Sequence, residues 1–152
     1  MEPSSVFTKF LQACITPVAM ISGVGLLLLT VTNRLGRIVD RTRNLVAELD
    51  APGVLKEKIK KDQVQVLMKR GRFLKHSIAW LLTGMIASCL IIPLLFIMNL
   101  IGTDLMIIGY SLFLISILSL LMSLIYFFKD ILLALNAVNL EAMDYLNSNQ
   151  ST

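Results

Sequence analysis

Charge is missing from three long stretches of this 152-residue sequence. Residues 10–33, 77–103 and 105–128 contain no Asp, Glu, Lys or Arg. Each run is longer than the ~20 residues a helix needs to cross about 30 Å of hydrocarbon. A helix at the edge of a soluble core needs a charged outer face, so runs this long argue against a soluble domain. Composition agrees: 56% of residues are hydrophobic and mean hydropathy is +0.77, whereas soluble domains lie nearer 45–50% apolar.

Other scarcities narrow function. Mid-span ionisable residues, the usual mark of proton-coupled transport, are absent from all three runs. His76 is the only histidine; it has no histidine partner for a metal site and reads as an interfacial anchor beside Trp80. Cys14 and Cys89 are the only cysteines. One falls near a span end and the other mid-span, so a disulfide within one chain is not expected. There is no Ser/His/Asp set, HExxH, P-loop or paired-carboxylate motif. The sequence predicts no enzyme, no cofactor and no metal.

What is present is a basic segment. Twelve of the fourteen Lys and Arg residues lie between positions 34 and 75, with only five acids among them. An excess of Lys and Arg in a short loop keeps that loop cytoplasmic. Anionic headgroups then contribute about 1 kcal/mol per basic residue near the surface. The N-terminus and the turn at 99–104 are therefore predicted outside, and the C-terminus inside. The first run is expected to be retained rather than cleaved as a signal peptide: it is too long, and no A-x-A site follows it. Nucleic acid is not an expected partner, because Asp40, Glu48, Glu57 and Asp62 interrupt the basic residues.

The predicted fold class is an all-α membrane protein. A short periplasmic leader (1–9) precedes span one (10–33). A basic cytoplasmic helical hairpin (34–76) leads to span two (77–101), followed by span three (105–128). A cytoplasmic amphipathic helix (129–146) and a disordered tail (147–152) end the chain. In the hairpin, Leu35, Ile38, Val39, Leu45, Val46 and Leu49 recur at helical spacing, and "LDAPGV" signals the turn. No breaker separates span one from the hairpin, so a helix of ~65 Å is predicted there. In the amphipathic helix, Ile131, Leu132, Leu135, Val138 and Met143 can share a side. Pro17 and Pro93 fall within spans and are expected to shape them.

Span one carries a heptad seam of Val18, Ser22, Gly25, Leu29, Thr32, Gly36, Val39, Arg43 and Val46. Its membrane part is mostly small or polar, a composition that lets helix backbones approach in lipid. Small-xxx-small pairs recur at Ala19/Gly23, Gly84/Ser88 and Ser119/Ser123. Ser116, Ser119 and Ser123 share a face of span three that leads to Asp130. Two readings of the seam follow: helix packing, or a pore lined by a ring of first spans with Ser22, Thr32 and Asn33 facing water.

The block "SGVGLLLLTVTNRLGRIVDRTR" and its flanks, residues 15–45, resemble the start of a family of small bacterial membrane proteins catalogued as domain of unknown function 2721. The resemblance extends more loosely over about residues 10–135. It implies a bacterial inner-membrane location and supplies no activity or site residues. Within the block, Arg37 lies one helical turn from Asn33 on one side and from Asp40 and Arg41 on the other. Ion pairs of Arg37, Asp40 and Arg41 between neighbouring subunits could fix register.

The sequence thus predicts a homo-oligomer contacting membrane lipids. It is either an ion channel or pore with an inorganic ion as ligand, or a non-catalytic scaffold or signalling module whose hairpin binds a partner or anionic lipid. The seam or pore residues are Val18, Ser22, Gly25, Leu29, Thr32, Asn33 and Gly36.

Overall fold

The structure, a computed structural model, describes the backbone of residues 3–49, 57–101 and 105–149. It describes the side chains of residue 8 and of 11–49, 60–98, 100 and 105–137. The predicted turn at "LDAPGV", residues 102–104 of the outer turn, and the end of the tail lie outside them.

Three helices account for the regular structure among the described residues: α1 (Pro3–Leu49), α2 (Glu57–Ile101) and α3 (Met106–Asn149). α1 passes without a break from the first charge-free run into the basic segment, as the lack of a breaker between Thr32 and Leu35 predicts. It also takes in residues 3–9, read above as a leader. α2 continues through Gly71 and Pro93. α3 continues through Lys129, so span three and the segment read as an amphipathic helix belong to one helix. Leu132 and Leu135 are exposed on it, and the side chains of Val138 and Met143 lie outside those described.

All three helices are long and apolar enough to cross a membrane. Their most apolar windows are only 17, 28 and 17% buried within the chain. Leu26, Ile86, Ile107 and Leu114 are among the large apolar side chains left uncovered. Water would penalise so much contiguous apolar surface; hydrocarbon does not. The protein is an integral, multi-pass membrane protein.

The chain divides into two compact units. The first draws on residues up to Thr30 and on Ile78–Ser123. Its buried positions are Pro17 and Val24 on α1, Leu81, Gly84, Ala87, Ser88 and Ile91 on α2, and Ser116, Ser119 and Ser123 on α3. The 3-4 spacing of most of these α2 and α3 positions is that of helices meeting along a narrow seam. Gly84 sets the approach of α2 to α3. A Cβ there would lie 3.2 Å from the Ser116 carbonyl oxygen and 3.3 Å from Ser119 Cβ.

The second unit draws on Val31–Ser77 and on the chain from Leu124 onward. Val31, Ile38 and Leu45 of α1 are buried in it, with Leu74 and Ser77 of α2 and Asp130 of α3. Here α1 and α2 lie side by side and antiparallel. Gly71 faces Leu35 and Ile38, while Lys60 meets Glu48 at 2.9 Å. Lys60, by hydrogen bond and then by charge, holds the Glu48 carboxyl below its ordinary range. A lowered folded-state value stabilises at neutral pH, and that contribution is lost as pH falls through it.

Candidate functional site

In the first unit buried serines bond across the α2–α3 contact. A serine hydroxyl has one proton to give. Ser116 Oγ donates to the Gly84 carbonyl at 3.0 Å, so in its 2.5 Å contact with Ser88 it must accept. Both serines are buried. Such bonds between membrane helices contribute roughly 0.6 kcal/mol each. This is the role that interhelical packing predicts for the serine face of α3. An apolar cleft of about 350 Å³ lies between Pro17 and Met20 of α1, Ile91 and Leu95 of α2, and Tyr110 and Phe113 of α3. Its lining has no Asp, Glu, Lys, Arg or His, and Thr16 and Tyr110 are its only hydroxyl-bearing residues.

The predicted seam of α1 occupies a different side of the helix from the one buried in the chain. Among described residues the fully buried α1 positions are Pro17, Val24, Val31, Ile38 and Leu45, seven apart. Val18, Gly25, Thr32, Val39 and Val46 follow them by one residue, about 100° round the helix. Val18, Ser22, Leu29, Thr32, Asn33 and Gly36 are exposed, and Gly25 is half-buried. A Cβ at Gly23, Gly25 or Gly36 would meet nothing within 4 Å. Arg37, Asp40 and Arg41 are exposed on the same helix.

The second unit holds an arrangement that the sequence reading missed. Asp130 is completely buried and lies between two arginines from the other helices. Arg34 Nε of α1 is 2.8 Å from Oδ2, and Arg70 Nε of α2 donates to Oδ1 at 3.0 Å. The Arg34 contact is an ion pair without a well-directed hydrogen bond, since Oδ2 has no partner of hydrogen-bond geometry. The Arg34 guanidinium also sits 5.5 Å from the centre of the Phe127 ring. One turn away along α3, Tyr126 stacks on His76 at 5.5 Å and receives Lys129 Nζ at the same distance. His76 Nδ1 is 2.7 Å from the Arg72 carbonyl, which can only accept, so Nδ1 carries the hydrogen.

Local sequence explains this placement. Ser116, Ser119, Ser123 and Asp130 step by three, four and seven residues and therefore share one side of α3. The register was visible; the identity of the partners was not. Arg34 reads as a topology anchor because it is the first charge after residue 33, and Arg70 is one of twelve cations in its segment.

No group of three His, Cys, Asp or Glu side chains that could hold a metal occurs among the described residues. Cys14 and Cys89 are free thiols.

Three apolar helices, tied in the second unit by a buried carboxylate, define a small multi-pass membrane protein. Over residues 14–140 the chain matches the family described as "Protein of unknown function (DUF2721)", and it belongs to that family. No curated protein and no solved structure matches it.

Proposed function

We propose that the protein is a homo-oligomer of a bacterial inner membrane and that the exposed small and polar face of α1 lines a central ion-conducting path. The basic segment faces the cytoplasm, the N-terminus lies outside, and the protein catalyses no reaction. The observation that carries this reading is the uncovered side of α1. Ser22, Gly25, Thr32, Asn33 and Gly36 lie along it, where lipid would be a poor partner for polar groups. Neighbouring copies of α1 would cover one flank of each such face and leave the polar remainder towards a lumen. Leu29, 57% exposed on that face, is the apolar constriction, able to close the path by excluding water. With Arg34 engaged by Asp130, Arg37 and Asp40 are the charges that remain at the inner mouth.

Ion flux in proteoliposomes tests the proposal. Leu29→Ser should raise flux by about tenfold or more over the wild type, by wetting the constriction. Absence of flux from both proteins defeats the pore. The oligomer itself is tested by Asp40→Arg, which sets like charges together where Arg37 and Arg41 of neighbouring copies are taken to pair with Asp40. Size-exclusion chromatography with light scattering should then report a smaller particle; an unchanged mass contradicts the pairing.

A scaffold is the second reading, favoured by the outer surface of α2. Met68 is 59% exposed there among Asp62, Gln65, Lys69 and Arg72, a mixed apolar and charged strip of the kind that docks a partner. An intact oligomer without flux selects this reading.

A further inference from the structure

We infer that Arg34 and Arg70 form a binding site for a phosphate oxyanion, carried either by a phospholipid headgroup or free in solution. The inference rests on the membrane reading for its setting and is independent of whether the assembly conducts.

Charge imbalance is the first argument. Two guanidinium cations meet one carboxylate, and among the described residues Asp130 is the acid paired with either arginine. One unit of positive charge is left over in a partly desolvated place. Such a charge is costly unless something compensates it. Among the described residues no second acid pairs with them, so an anion from outside is the natural complement.

Geometry is the second. Both arginines reach Asp130 through Nε. Arg70 spends one of its five N–H donors there, on its lateral edge, and Arg34 approaches by the same edge as an ion pair. The terminal pair of amino groups is the edge that matches two oxygens of a phosphate in a fork. Asp130 is sealed from solvent, whereas the Arg34 and Arg70 side chains are 27% and 18% exposed. The carboxylate therefore holds the arginines from within, while each arginine side chain keeps part of its surface exposed. Phe127 further restricts the Arg34 guanidinium. An arginine already oriented loses less side-chain entropy when it takes a ligand.

Position is the third. Arg34 directly follows the charge-free run 10–33, and Asp130 lies two residues beyond the run 105–128. Charged groups at the ends of spans sit at headgroup depth, where phosphodiesters are abundant.

The test uses the full chain, purified and delipidated in a neutral detergent. Short-chain phosphatidylglycerol is titrated in one arm and inorganic phosphate in the other, with phosphatidylcholine as the zwitterionic reference. Binding is read by native mass spectrometry and calorimetry. The wild type should bind one phosphate group per subunit, saturably. Arg34→Gln and Arg70→Gln should each weaken binding by about tenfold, while Arg43→Gln, at an exposed position of α1, should stay within about twofold. Each glutamine variant leaves Asp130 paired with one arginine, so no orphan carboxylate is created. Arg34→Lys and Arg70→Lys keep the charge but lose the fork, and should also weaken binding. Saturation by the lipid alone assigns the site to a headgroup; displacement of the lipid by inorganic phosphate assigns it to free phosphate. If neither probe saturates the wild type, or if both glutamine variants bind as it does, the site does not exist. Flux measured on the same variants separates this result from the fate of the pore, since loss of anion binding with retained flux is expected.

Discussion

Asp130→Ala is expected to destabilise the protein by about 3–5 kcal/mol, because it strips from two largely buried arginines the only carboxylate that pairs with them among the described residues. The size of the effect follows from what remains behind. Two like charges on neighbouring helices, drawn to one point by Asp130, would face each other without compensation. Unfolding in mixed micelles, followed by helical circular dichroism, reports the loss. A companion variant separates attraction from orphaned charge: Arg34→Met, Asp130→Leu and Arg70→Met together remove all three groups and fill the space with apolar side chains. Replacement of a buried ionic cluster in this way is commonly neutral or stabilising. The triple variant should therefore unfold no more easily than the wild type, though it would lose the anion site. A triple variant as unstable as Asp130→Ala would mean that the cluster stabilises the unit by direct attraction.

Gly84→Leu carries the second large effect. α2 and α3 approach so closely at Gly84 that even a methyl group would stand 3.2 Å from a backbone oxygen. Leucine adds three more carbons and displaces Ser116 from the Gly84 carbonyl that it now bonds. Overpacking of this kind costs about 1–3 kcal/mol, and the lost hydrogen bond adds roughly 0.6 kcal/mol. The same micelle unfolding should show Gly84→Leu clearly below the wild type. Gly25 is the contrast, since nothing lies within 4 Å of a Cβ there. Gly25→Leu should leave unfolding unchanged and instead reduce the oligomer's mass, if the exposed face of α1 is where copies meet. Loss of stability at both positions would indicate that Gly25 packs within its own chain.

Three long apolar helices were legible because lipid imposes a severe rule on composition. Runs 10–33, 77–103 and 105–128 could not be mistaken for soluble helices. The family was legible too, from the block around Asn33 and Arg34. Continuity was only partly so. A charged residue such as Lys129 suggests an end to a span, yet nothing in its chemistry stops a helix, and α3 runs on to Asn149. The packing seam of α1 shows a deeper limit. Small residues drew attention to Ser22, Gly25 and Gly36, whereas the side buried within the chain is built on Val24, Val31, Ile38 and Leu45. In α1 both sides repeat every seven residues, so periodicity alone could not rank them. The Arg34–Asp130–Arg70 cluster lay furthest from sequence reasoning. Its members are 36 to 96 positions apart along the chain, and charge near a membrane boundary has an adequate local explanation without any partner.

The proposed function requires three helices crossing a bilayer with the basic segment on the cytoplasmic side. Lys69→Cys, at an exposed position of α2, placed in a chain with Cys14 and Cys89 replaced by serine, measures this with a membrane-impermeant maleimide. Residue 69 should react in inside-out membrane vesicles and resist labelling in intact cells. Equal labelling from the outside of intact cells would contradict the account.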